Sequence, residues 1–298
     1  MVLQWIYPRG GGGFARRYLR YRQDMFQKGR ESDAFPITPL TLFDFSRHDD
    51  YMDARRVQEK NADGWRVSDD SVIGGFSKAS ASILQTKDEY RRHLAGETAS
   101  DPSSLEKETR DTMGEEEVKD DFTPFLRWEG NLDTAVGLQS DAQRSGFAFL
   151  KSPEYPFEGA GLQGLYNSLE ITCRADDRLY TVNLQVSSYI PDDMYQGHIQ
   201  SAPADHEPGE KDDHLRFHKL ILPFKAFRLT AFGRAREHER ELDDKINIKS
   251  IGVTLMDNTD GDFVFDLACI RAVNVFKGEV FEGPPADSKP VTETATSS

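Results

Sequence analysis

R-L-Y-T-V-N-L-Q-V-S-S-Y, Arg178 to Tyr189, is the stretch on which the fold turns. Tyr180, Val182, Leu184 and Val186 fall on one face, and Thr181, Asn183, Gln185 and Ser187 on the other. A period of two with polar residues on the open side marks a half-buried strand of an antiparallel sheet. Just upstream, Leu165 to Cys173 puts Leu169, Ile171 and Cys173 on a common face. Ala175-Asp176-Asp177 lies between the two runs and supplies turn residues, which predicts a hairpin. Working outward, strand signals recur at Leu40–Phe45, Phe76–Leu84 and Gly146–Leu150. In Leu215–Phe224, Leu215, Phe217, Lys219 and Ile221 alternate with Arg216, His218, Leu220 and Leu222, and Pro223 should end the strand or hold an edge. Ile246–Leu255 and Phe263–Phe276 follow, joined by the turn M-D-N-T-D-G-D. Ser46 can cap a short helix running to about Gln58. Many short strands with few helices predict an all-β sandwich or jelly roll.

A sandwich of about 200–250 residues would occupy most of a 298-residue chain. Hydrophobic residues, at 37%, suffice for one core, and 30% charged residues imply solvated segments outside it. The net charge of −14 is unevenly spread: residues 1–30 carry +6, which leaves −20 on residues 31–298. So acidic a body is a poor partner for phosphate backbones, which argues against nucleic acid. Cys173 and Cys269 do not make a disulfide framework and read as buried thiols in a reducing compartment. No apolar run approaches the roughly 18–20 residues of a membrane span, which leaves at most attachment to a membrane surface. Phe14 to Phe26 sets Phe14, Tyr18, Tyr21 and Met25 at helical spacing among arginines. An Arg-rich, acid-poor amphipathic start is the signature of a mitochondrial presequence, although no Ser precedes Ser32. The alternative is a basic helix that docks on anionic lipid or on a partner. The expected layout is a presequence-like segment and linker over 1–39, a β-sandwich over 40–276 and a disordered tail over 277–298. Within the sandwich, residues 86–121 form a charge-rich insertion, disordered or partly helical, and Pro191–Asp213 a polar loop.

Chemistry-bearing patterns fare poorly. Gly159-Ala160-Gly161-Leu162-Gln163-Gly164 spells G-x-G-x-x-G, but Tyr155-Pro156 precedes it and a β-patterned run follows, so the strand–helix context of a dinucleotide site is missing. His214 and His218, four apart on a predicted strand, would stand ~13 Å apart, too far to share a zinc ion. His198 and His206 add nothing to such a site, and no G-x-S-x-G occurs. No catalytic, cofactor or metal residue is therefore assigned. D-G-W-R-V-S-D-D-S-V-I-G-G-F-S, Asp63 to Ser77, reads as architecture. Gly74-Gly75 provides positive φ or close backbone approach, Asp69 and Asp70 can accept turn amides, and Trp65 can anchor the loop over one end of a sandwich.

This motif, with Trp65, Ser68, Asp69, Asp70, Gly74, Gly75 and Ser77, resembles the signature of the complex I intermediate-associated protein 30 family. Further pieces match in order: W-E-G-N-L, G-F-A-F-L, G-L-Y-N-S-L-E-I-T-C, L-Y-T-V-N-L, L-I-L-P-F-K-A-F, I-K-S-I-G-V-T-L-M-D and G-D-F-V-F-D-L-A-C-I-R-A-V. They cover about residues 40–276. The resemblance implies a galactose-binding-like jelly roll that helps assemble mitochondrial respiratory complex I. It implies action in the matrix at the inner membrane, on membrane-arm intermediates, beside an acyl-CoA-dehydrogenase-like partner, with no cofactor and no catalytic residue. The motif residues would then be structural or partner-binding. Where the family often has Gly-Asp-Gly before its central strand, this chain has Ala175-Asp176-Asp177, so a shared ligand site there is not expected. Two other classes compete. A carbohydrate-binding module is disfavoured by the scarcity of Trp in the body (Trp65 and Trp128), and a nucleotide-linked enzyme would depend on the weak 159–164 motif.

Overall fold

The computed structural model describes residues 38–46, 64–96, 122–136, 145–154, 162, 165–187, 193–199, 216–231, 234–236, 241–242 and 247–282. Two antiparallel sheets form a sandwich, as the strand patterns predict. The first runs β3 (Lys78–Leu84), β4 (Phe125–Leu132), β13 (Gly261–Val273), β6 (Ser168–Ala175) and β9 (His218–Pro223), with β1 (Leu40–Asp44) on β13. The second runs β11 (Arg234–Ala235), β10 (Arg228–Ala231), β8 (Asp193–Ile199), β7 (Tyr180–Val186), β12 (Ile248–Leu255), β5 (Ala148–Lys151) and β2 (Arg66–Asp69). The chain crosses repeatedly between the two, as jelly rolls do. Residues of alternate parity from both sheets meet between them, so Trp65, Trp128, Tyr180, Tyr195, Phe263 and Phe265 lose nearly all contact with water. β7 is central, and its four predicted inward residues are buried.

Several expectations need correction. The 175–177 turn does not make a hairpin, because β6 and β7 belong to different sheets. It is an arch across the sandwich, bolted by Asp176, which accepts the Tyr180 hydroxyl (2.8 Å), the Val264 N–H (2.8 Å) and the Arg178 N–H (3.1 Å). Within the expected polar loop 191–213 lies a full strand, β8, paired to both β7 and β10. The 86–121 insertion opens with helix α1 (Lys87–Leu94), and residues 97–121 lie outside the described residues. Pairing also runs past Lys277: β14 (Val275–Phe276) and β15 (Glu279–Val280) form a small hairpin. Arg271 joins that hairpin to the body by forking between Glu170 and Glu282. The helix expected after Ser46, the N-terminal basic segment and the 159–164 glycines lie outside the described residues.

The two outer faces differ. On the first sheet, α1 is capped by Thr86, whose Oγ1 accepts the Glu89 N–H at 3.2 Å, and it lays Tyr90 against Phe122 and Phe125. Beneath it, one cross-strand row brings Arg127, Asp266 and Arg174 together. Asp266 is fully buried; Arg127 reaches it at 2.8 and 3.0 Å, and Arg174 at 2.8 and 2.5 Å. The Arg127 guanidinium lies 5.0 Å from the Tyr90 ring, and that of Arg174 lies 5.2–5.3 Å from the rings of Tyr90, Phe125 and Phe217. The second sheet instead turns amides and hydroxyls outward. Gln196 Nε2 donates to Asn183 Oδ1 (2.9 Å), Asn183 Nδ2 to Thr254 Oγ1 (2.5 Å), and Ser250 Oγ to Gln185 Oε1 (3.0 Å).

Candidate functional site

The signature stretch links β2, the edge of the second sheet, to β3, the edge of the first, so it closes one side of the sandwich. Trp65 enters the core just before β2, edge-on to Phe43 at 5.1 Å and beside Phe45 at 5.6 Å. Ser68 lies on β2 opposite Phe149 of β5. After Asp69 the chain tightens into a 3₁₀ turn, Asp70–Ile73. Asp69 caps it, accepting the Ser71 N–H at 3.2 Å, and its other oxygen accepts the Ala79 N–H at 3.0 Å. Asp69 thereby ties the turn to the exposed edge of β3.

Asp70 is the hub. Fully buried, it accepts the Ser77 N–H (2.8 Å) and Oγ–H (2.9 Å), the Ser145 Oγ–H (2.7 Å) and the Gly146 N–H (2.5 Å). Burial pushes this carboxyl up, but the bonds from Ser145, Gly146 and Ser77 outweigh burial and hold it below the ordinary carboxylate value. Gly74 ends the turn at φ 86°, a left-handed conformation that side chains resist. Gly75 is required for a different reason. A Cβ there would stand 2.3 Å from Asp70 Cγ, inside the carboxylate. Ser77 extends the network to the next loop, its Oγ accepting the Asp133 N–H at 3.0 Å.

Asp69, Asp70, Gly74, Gly75 and Ser77 thus fall in one connected turn, while Trp65 lies before, and Ser68 on, the strand that leads into it. Sequence reasoning missed Ser145, Gly146 and Asp133, which complete the hub from 56–76 positions away. The Ser-Gly pair heading the aromatic run 147–150 was the available signal. What the rigid turn displays is apolar: Val72, Ile73 and Phe76 are exposed, as is Val136 on the strand bridge to Gly75.

Other candidates disperse. His198 is on β8 and His218 on β9, in different sheets, and His206 and His214 lie outside the described residues. Among the described residues no group of three His, Cys, Asp or Glu could hold a metal ion. Cys173 is a buried free thiol whose pKa burial, aided by the Asp266 charge, pushes up to about 12, so it stays protonated at neutral pH. Cys269 is half-buried.

The profile of the complex I intermediate-associated protein 30 family matches residues 54–267, well over half of the chain. The chain belongs to the complex I intermediate-associated protein 30 family. No curated protein is significantly similar to it in sequence. Among solved structures it is similar to the family 11 carbohydrate-binding module of the cellulosomal cellulase Lic26A-Cel5E of Clostridium thermocellum. That match has 12% identity over 80% of this chain and 97% of the module, with a TM-score of 0.42. A family 11 carbohydrate-binding module from the same organism, in complex with a beta-1,3-1,4-mixed-linked tetrasaccharide, matches at 12% identity over 73% of this chain and 93% of its own, with a TM-score of 0.38. In this member of the family, the stretch Asp63–Ser77 is a hydrogen-bonded turn organised on Asp70.

Proposed function

We propose that this chain is a non-enzymatic assembly factor for mitochondrial respiratory complex I. It acts in the matrix, peripheral to the inner membrane, by surface contact with membrane-arm intermediates and with other assembly factors, including an acyl-CoA-dehydrogenase-like protein. The family match over residues 54–267 carries this reading. In this scheme residues 1–39 address the chain to the mitochondrion and 40–276, with the small hairpin that follows, form the working domain. Trp65, Ser68, Asp69, Asp70, Gly74, Gly75 and Ser77 hold the shape of a contact surface. Depleting the protein and resolving native membrane complexes should reveal stalled membrane-arm intermediates and less complete complex I. Unchanged complex I levels would refute the proposal. Imaging the tagged protein with and without residues 1–30 tests the address, and cytosolic staining of the shortened form is expected.

A second reading draws on the second sheet. Its half-buried Gln185, Gln196 and Thr254 are oriented by hydrogen bonds with the buried Ser250 and Asn183, and amides and hydroxyls held this way are the chemistry that recognises a polyhydroxylated ligand. Calorimetry with a mixed-linkage tetrasaccharide separates the two readings: the first expects no heat of binding.

A further inference from the structure

The turn organised by Asp70 is costly in geometry and displays hydrophobic residues. Val72 is 73% exposed, Phe76 55%, Val136 44% and Ile73 43%. Turn positions of this kind ordinarily carry polar side chains. Contiguous apolar surface beside a rigid frame marks a place where something binds. The backbone beneath is immobilised from both sides, by Asp70 on Ser77, Ser145 and Gly146, and by the Gly75–Val136 bridge. Little conformational entropy is then lost on binding.

The surroundings specify the partner. Asp133 and Asp260 lie on the two loops next to the turn, tied together where Asp260 accepts the Thr134 N–H at 2.7 Å. Asp262 follows, accepting Asn131 Nδ2 at 2.8 Å across from Lys78. The Asp69, Asp133, Asp260 and Asp262 carboxylates accept bonds from neutral N–H groups, which orient them without cancelling their charge. The Thr134 N–H and hydroxyl also hold the Asp260 carboxyl below its ordinary value, so it is ionised at neutral pH. Among the described residues, Lys78 is the exposed cation of this group; Arg178 is consumed by Asp257 at 2.7 and 2.8 Å.

We propose that the signature turn is a docking surface for a basic amphipathic helix of a partner protein, with Val72, Phe76 and Val136 taking its apolar stripe and Asp133, Asp260 and Asp262 its Lys and Arg. An anionic membrane surface is the wrong partner, because like charge around the patch repels it. The proposal deepens the assembly-factor reading and rests on it only for who the partner is.

The test uses the full 298-residue chain and a fluorescein-labelled, 18-residue helical peptide of Leu and Lys, followed by anisotropy, with the Leu–Glu counterpart as control. The Leu–Lys peptide should bind, with an affinity that falls as salt rises. Val72→Ser with Phe76→Ser should weaken it at least about tenfold without moving the thermal midpoint, and Asp260→Asn with Asp262→Asn about threefold, with a flatter salt dependence. On the unaltered protein, added peptide should slow amide exchange in residues 70–77 and 132–136. Equal affinity of the Val72→Ser/Phe76→Ser protein, or protection confined to other strands, would overturn the proposal. So would binding to vesicles of phosphatidylcholine and cardiolipin that those two substitutions abolish. In depleted cells, a Val72→Ser/Phe76→Ser protein that restores complex I as well as wild type overturns the docking surface and leaves the assembly role intact. Depletion without effect on complex I refutes the assembly role while the peptide result still judges the surface.

Discussion

Asp70 and Asp266 are equally withdrawn from water, and the fold satisfies them by opposite means. Asp266 lies mid-strand and is neutralised by two guanidiniums on neighbouring strands. Asp70 sits at a sandwich edge and receives four neutral donors, two of them backbone N–H groups. The first arrangement is a set of side chains that could be exchanged together. The second is written into the backbone path, because the Ser77 and Gly146 donors are main-chain amides that no side-chain exchange short of proline removes. A carboxylate paired with arginines ties strands together, whereas one fed by amides dictates the shape of a loop.

The largest effect should come from Asp266→Asn, which removes the buried counter-charge that two guanidiniums share. We expect a loss of ~3–5 kcal/mol in urea unfolding. Replacing Arg127, Asp266 and Arg174 together with apolar residues should recover most of that loss. No equivalent rescue exists for Asp70. Asp70→Asn should cost about 1–3 kcal/mol, since its amide presents a donor to groups that already donate. Gly75→Ala should cost a similar amount by forcing the carboxylate out of its seat. Because both changes break one network, the double variant should fall short of the sum by ~0.5 kcal/mol or more.

The pH dependence sharpens the contrast. With its native pKa depressed, Asp70 contributes stability that is fully present above the ordinary value of 3.8 and is lost as pH falls through the lower native value. The stability gap between wild type and Asp70→Asn should therefore narrow on acidification, as thermal melts from pH 7 to 2 would register. The smallest effect belongs to Val72→Ser, expected within about 0.5 kcal/mol of wild type, since an exposed side chain on a finished turn contributes little to folding.

What the sequence disclosed follows the same divide between local and distant causes. The β7 pattern was legible because each inward residue is apolar. β8 was not, because its four inward positions are Asp193, Tyr195, Gly197 and Ile199, and two of these break the apolar alternation. Asp193 is answered by Arg236 at 2.7 Å. Gly197 leaves room for the Phe227 ring, which a Cβ would meet at 2.9 Å. The false hairpin at 175–177 has another cause: alternation reports which side of a strand is buried, not which sheet it joins. Asp69 and Asp70 were readable as turn acceptors. Their distant donors were not, since Ser145 and Gly146 come close only after the sandwich closes.

Trp65 and Trp128 are both fully buried, and among the described residues neither indole N–H has an acceptor. Two dry indoles, one beneath the signature turn and one in the central core against Phe263, give this protein a native optical reporter. Their emission should be blue-shifted when folded, and in Trp5→Phe/Trp65→Phe and Trp5→Phe/Trp128→Phe backgrounds it would disclose whether the edge loosens before the centre.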